Sequence, residues 1–207
     1  MISRATVFAT RSFVVGSLVA FAFLGYGCGG DDSASLSAQF TASATPPGTV
    51  DLIKLVPQTA SGGRVVIQAV IYGPDTNLDM FAFAFDVKIG DPTVLQFVTG
   101  SGAAGDALTT SAGQTIQVEA APAMSDPSHI VVGVSKFGVG PGNGVAGASA
   151  IIVSMAFDAL RQGTSTLAIA TTPAPGVVDS NLAPIGSITF DSASGSVTVI
   201  STGGGGY

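Results

Sequence analysis

Between residues 49 and 201 the chain alternates short apolar runs with glycine, proline, serine and asparagine clusters. The clearest run is residues 78–89, where Phe81, Phe83, Phe85, Val87 and Ile89 recur at every second position. Met80, Ala82, Ala84, Asp86 and Lys88 occupy the alternate positions. Period two marks a strand with one face buried. The spacing puts the aromatic row inward and the Met80–Lys88 row outward. Residues 148–160 alternate in the same way, with Ile151, Val153, Met155 and Phe157 inward and Ile152, Ser154, Ala156 and Asp158 outward. Further strands are expected at 50–56, 64–72, 94–98, 114–120, 128–137, 165–170, 186–191 and 195–200. No stretch carries the 3.6-residue periodicity of an amphipathic helix. Short strands punctuated by turn residues predict an all-β, antiparallel β-sandwich of about nine strands, over residues 49–201.

The N-terminus follows another pattern. Arg4 and Arg11 precede an uncharged apolar stretch, residues 13–27, and Cys28 follows at once. Fifteen apolar residues are fewer than the roughly 20 needed to cross a bilayer as a helix. Residues 1–27 therefore have the three parts of a cleaved export signal. Cys28 is the only cysteine, so no internal disulfide can form. Residues 28–48 are rich in Gly, Ser, Ala and Thr and close on Pro46-Pro47-Gly48, which predicts a flexible linker. Residues 202–207 form a glycine-rich tail.

Composition narrows the function classes. Acidic residues exceed basic ones by 13 to 7, so nucleic acid is not an expected partner. His129 is the only histidine, and no G-x-S-x-G segment accompanies it, which argues against a Ser-His-Asp hydrolase. One histidine and one N-terminal cysteine exclude a His/Cys metal cluster. No D-x-D-x-D loop supports a calcium site. Gly142–Gly147 fits G-x-G-x-x-G, but a β-branched run follows where a dinucleotide site needs a helix. The carboxylates Asp79, Asp86 and Glu119 are dispersed. Asp75, Asp91, Asp126 and Asp179 flank turns, where their side chains bond the local backbone. With no tryptophan, and Tyr72 as the one tyrosine within 49–201, an aromatic platform for sugars is poorly supplied. No enzyme activity and no cofactor are expected.

Two resemblances add to this reading. Cys28 directly after the apolar run resembles the bacterial lipoprotein signal, although Leu24 lies at −4 and Tyr26 at −2 where the pattern has Leu at −3 and a small residue. It implies cleavage before Cys28 and lipid attachment there, with Gly29 favouring the outer membrane or cell surface. Four segments, in order, resemble the cohesin domain, a jelly-roll module of cellulosome scaffolds. They are "GGRVVIQAVIYG" (62–73), "FDVKIGDPTVLQFV" (85–98), "AIIVSMAFDALRQGTSTLAI" (150–169) and "SNLAPIGSITFDSASGSVTV" (180–199). A bulge or a deletion near Gly90 would bring the phenylalanine alternation into the family's phase. The resemblance implies a non-catalytic module that binds a dockerin-type protein, calcium-bearing on the partner's side, through a sheet face. The expected face is Met80, Ala82, Ala84, Asp86 and Lys88. The alternative is a glycan-binding or structural envelope protein on the same sandwich.

Overall fold

The computed structural model describes residues 35–45, 51–73, 78–144 and 149–202. Residues 1–27, Cys28 and the tail 203–207 lie outside them. The described residues belong to one compact unit, Asp32–Tyr207, and contain strands but no helix. In chain order the strands are β1 (Leu36–Thr41), β2 (Leu52–Ser61), β3 (Arg64–Tyr72), β4 (Met80–Ile89), β5 (Leu95–Phe97), β6 (Ala103–Ala104) and β7 (Thr115–Ala123). They continue with β8 (Asp126–Phe137), β9 (Ser149–Ala159), β10 (Gly163–Ile169), β11 (Gly176–Asp179), β12 (Thr189–Phe190) and β13 (Gly195–Ser201).

Two sheets form. The larger has the order β1-β13-β10-β4-β8-β7, with β11 beside the first half of β4. The smaller has the order β12-β2-β3-β9-β5, with β6 also on β9. All pairs are antiparallel except β12 with β2. The chain passes back and forth between the sheets, which gives the jelly-roll wrap. β3 is typical of the local logic. Val65, Ile67, Ala69 and Ile71 are buried while Arg64 is exposed, and β-branched residues suit a pleated, half-buried surface. The β2–β3 hairpin turns on Gly62-Gly63, and Gly62 takes φ 56°, which costs glycine little.

The two long alternations each contain a break. Between Val178 and Asp179 the β11–β4 pairing steps from Ala82 to Met80, leaving Phe81 as an extra residue. Between Ala69 and Val70 the β3–β9 pairing steps from Val153 to Ile151, leaving Ile152 extra. A bulge of one residue reverses the phase beyond it. Met80 and Ile152 are therefore in the core, at 0% and 1% exposure. Phe81 and Ile151, expected inward, are only partly buried. Near Gly90, where a bulge or a deletion was expected, the β10–β4 pairing shows no shift from Val87 to Ile89, and the Gly90 N–H goes on to the Thr166 carbonyl (2.9 Å).

A second difference concerns residues 35–45, expected to be linker. Residues 36–41 form β1, paired with β13 from Leu36↔Ser201 to Thr41↔Ser196. Ala38 and Phe40 enter the core. Beyond β1 the chain is latched. The buried Lys54 ammonium donates to the carbonyls of Ser43 (3.2 Å) and Thr45 (2.5 Å). Asp191 accepts from the Ser43 and Thr45 hydroxyls (2.6 and 3.2 Å).

The Phe40 ring lies where a Cβ on Gly195 would fall, 2.4 Å away, and the Thr41 carbonyl is 2.8 Å from the same point. Gly195→Ala is expected to destabilise the protein by about 1–3 kcal/mol through overpacking, read by urea unfolding.

Candidate functional site

In the larger sheet, register decides which side chains share the outward face. On β4 these are Ala82, Ala84, Asp86 and Lys88, opposite Ser135, Gly133, Val131 and His129 of β8. Beyond β8, Gln117, Glu119 and Ala121 of β7 continue the same rows. On the other side of β4, Ala168 of β10 adjoins Lys88 and Gly176 of β11 adjoins Ala84. The centre of the face is thus made of small residues. Met80 does not belong to it, since the bulge at Phe81 turns it into the core. Asp86 faces outward but is buried to 7% exposure, with Pro173 and the β7–β8 turn beside it. Ala84 and Lys88 are exposed and Ala82 is half-buried.

His129 lies at one end of this face. Its Nδ1 is 3.7 Å from Asp86 Oδ2 and its Nε2 is 3.7 Å from Asp126 Oδ2. The carboxylates face opposite ring nitrogens, and the Ser128 hydroxyl donates to Asp126 Oδ1 (2.6 Å). Among the described residues no group of three His, Cys, Asp or Glu is placed to hold a metal. Asp79 sits at the start of β4, Asp86 in its middle, and Glu119 two strands away, so these carboxylates do not form a pair. Within the glycine-rich segment Asn143 braces Met80 through paired backbone hydrogen bonds of 2.9 and 3.1 Å; no helix follows among the described residues. Tyr72, half-buried at the end of β3, makes no platform.

Sequence reasoning missed the β7 and β8 contributions. An exposed depression of about 300 Å³ is lined by Gln117, Glu119, Gly133, Ser135 and Phe137. These residues lie up to twenty positions apart, and only the hairpin register joins them.

At the other end of β4, Asp79 accepts from the Ser180 hydroxyl (2.5 Å) and backbone N–H (3.2 Å). The Ser180 hydroxyl bond chiefly, aided by the Lys136 charge, holds Asp79 below the ordinary carboxylate range, against partial burial. Hydrogen bonds from Thr93, Ser128 and Arg64 act likewise on Asp91, Asp126 and Asp158. A carboxylate with a lowered folded pKa stabilises the fold fully above its unfolded value, about 3.9, and loses that contribution as pH falls through the folded value. The melting temperature is therefore expected to hold near neutrality and to decline below about pH 4. Asp79→Asn should lower it at pH 7 and flatten the acid decline, as thermal melts between pH 7 and pH 2.5 would show.

No family model matches the chain, and no curated protein matches it. Among solved structures it is similar to the second type II cohesin module from the adaptor ScaA scaffoldin of Acetivibrio cellulolyticus. In one structure of that module the identity is 15% over 67% of this chain and 84% of that one, with a TM-score of 0.49. In another it is 12% over 77% and 94%, with a TM-score of 0.48. It is also similar to the sixth cohesin of scaffoldin B from Acetivibrio cellulolyticus, solved with a Cel5 dockerin: 18% identity, 75% and 96% covered, TM-score 0.45. At such identities no residue role transfers from those modules to this chain.

Proposed function

We propose that this chain is an exported, lipid-anchored, non-catalytic module that binds a dockerin-type protein at the cell envelope. The observation that carries the reading is the outward face of β10, β4, β8 and β7. It is a broad sheet surface with alanine and glycine at its centre and Lys88, His129 and Glu119 around them, which suits a protein surface better than a small substrate held in a cleft. The four cohesin-like segments of the sequence support the same partner class. With Met80 turned into the core by the bulge and Asp86 buried, the docking row on β4 is Ala82, Ala84 and Lys88, with Val131 and Gly133 beside it.

Cys28, by its place after the apolar run, is the proposed lipid attachment, and two or more acyl chains give stable anchoring. With β1 beginning at Leu36, the chain from Cys28 to Ser35 reaches at most about 25 Å when extended. The domain would then stand close to the membrane.

The test immobilises the full chain in detergent and passes a purified type II dockerin module over it, with calcium and with chelator. Calcium-dependent retention is expected, and Ala84→Arg should abolish it without changing the melting temperature. Retention of no dockerin module under either condition rejects the partner. Cys28→Ser should move the chain from the detergent phase to the aqueous phase; unchanged partitioning rejects the anchor.

A further inference from the structure

Glu119 is the only glutamate in the chain. It projects from β7, the edge strand of the larger sheet, onto the proposed docking face. Every other described carboxylate has a partner in the fold. Asp158 pairs with Arg64 and Asp91 with Arg161, while Asp86 and Asp126 flank His129. Asp79, Asp106, Asp179 and Asp191 accept hydrogen bonds, and Asp51 is also engaged. Among the described residues Glu119 alone has no such partner.

Its surroundings are also unusual. Phe137 is 55% exposed, a large apolar ring left in water two residues along from Ser135. Gly133, directly opposite Glu119, keeps the floor open: a Cβ built there meets no atom within 4 Å. Packing therefore does not require glycine at 133, and a side chain there would stand in the depression. Gln117 and Ser135 complete the wall with an amide and a hydroxyl.

From this we infer that the depression is a subsite for an arginine side chain of the partner. The inference rests on reading this face as a docking surface. A guanidinium is planar and carries five N–H donors in a fixed fork. It can lie on the Phe137 ring, where cation–π attraction acts. Glu119 supplies two carboxylate oxygens for a bidentate pair. The Gln117 carbonyl and Ser135 hydroxyl accept from the remaining donors. Lysine presents no flat surface to the ring and only three donors around a point charge. Glu119 is the only charged residue lining the depression, so the charge complementarity is with a single cation.

The test titrates acetyl-Gly-Arg-Gly-amide into the ¹⁵N-labelled full chain in detergent, followed by NMR. The same titration is run with peptides carrying citrulline, lysine or glutamate in place of arginine. Citrulline keeps the shape and loses the charge. Saturable shifts at Glu119, Gly133 and Ser135 in the millimolar range are expected with arginine, as suits one anchored side chain. Binding should be at least tenfold weaker with citrulline, in Glu119→Gln and in Gly133→Val. Both substitutions are at exposed or open positions, and an unchanged spectrum elsewhere verifies the fold. Absence of shifts with arginine, equal shifts with citrulline or lysine, or indifference to Glu119→Gln overturns the subsite. If dockerin retention fails while these arginine-specific shifts persist, the partner reading falls and the subsite stands. If dockerin is retained but the shifts are absent, the reverse holds.

Discussion

A chain that begins at Thr49 is expected to lose cooperative folding at 37 °C, whereas one that begins at Ser35 melts like the full chain. Composition alone makes residues 28–48 look dispensable, which is why this deletion is informative. Three losses combine. Ala38 and Phe40 leave the core, and removal of a buried phenylalanine side chain alone costs about 3–5 kcal/mol. The backbone ladder along β13 loses its partner from Leu36 to Thr41, exposing a new sheet edge. Lys54 loses both carbonyls that receive its ammonium, and Asp191 loses the Ser43 and Thr45 hydroxyls that donate to it, hydrogen bonds to charged groups that each contribute about 1.5–3 kcal/mol. Domains of this size are stable by about 5–15 kcal/mol, so the sum consumes most or all of the margin. Thermal unfolding followed by circular dichroism checks it. A chain starting at Thr49 that melts within a few degrees of the full chain would mean that β1 contributes little.

The second large effect separates two residues that the alternation treats alike. Met80 and Ala84 sit in the same phase of the sequence, yet Met80 is 0% exposed and Ala84 is open to solvent. Met80→Lys is expected to destabilise by about 3–5 kcal/mol, because the ammonium would enter the core with no counter-charge. Ala84→Lys should change stability by no more than about 0.5 kcal/mol, as exposed substitutions usually do. Urea unfolding of both variants measures the difference. Equal small effects would place Met80 on the surface and remove the bulge at Phe81.

These two results mark what sequence reasoning reaches and where it stops. Strand existence was legible: Arg64–Tyr72 falls where the β-branched run and its flanking glycines put it. Phe83, Phe85, Val87 and Ile89 are buried as their period requires. The bulges at Phe81 and Ile152 were not legible, because a one-residue insertion in pairing leaves no compositional mark. It is set by the partner strands β11 and β3. In β1 the signal was present but small. Leu36, Ala38 and Phe40 alternate with Ser37, Gln39 and Thr41, yet serine and alanine on either side read as linker. β6 and β11, with two and four residues, are too short for any period. The candidate site suffers in the same way. The β4 row was readable within one strand, minus Met80. The group around Glu119 depends on the β7–β8 register, which places Glu119 opposite Gly133 and Thr115 opposite Phe137.

The pairing of β1 with β13 also bears on how the molecule is made. Ser35 and Thr202 share hydrogen bonds, 2.7 Å for Thr202 N–H to the Ser35 carbonyl, across 167 positions of sequence. The first described strand cannot find its neighbour until the last one has been synthesised. Until then Phe40 has no Gly195 to pack on, and β10 lacks β13 on its free side. Folds dominated by such distant contacts reach the native state slowly, and their unpaired strands are open to association meanwhile. Final closure of this sandwich is therefore a late, full-length event, and ribosome-stalled chains ending before Gly195 should remain protease-sensitive throughout residues 35–45.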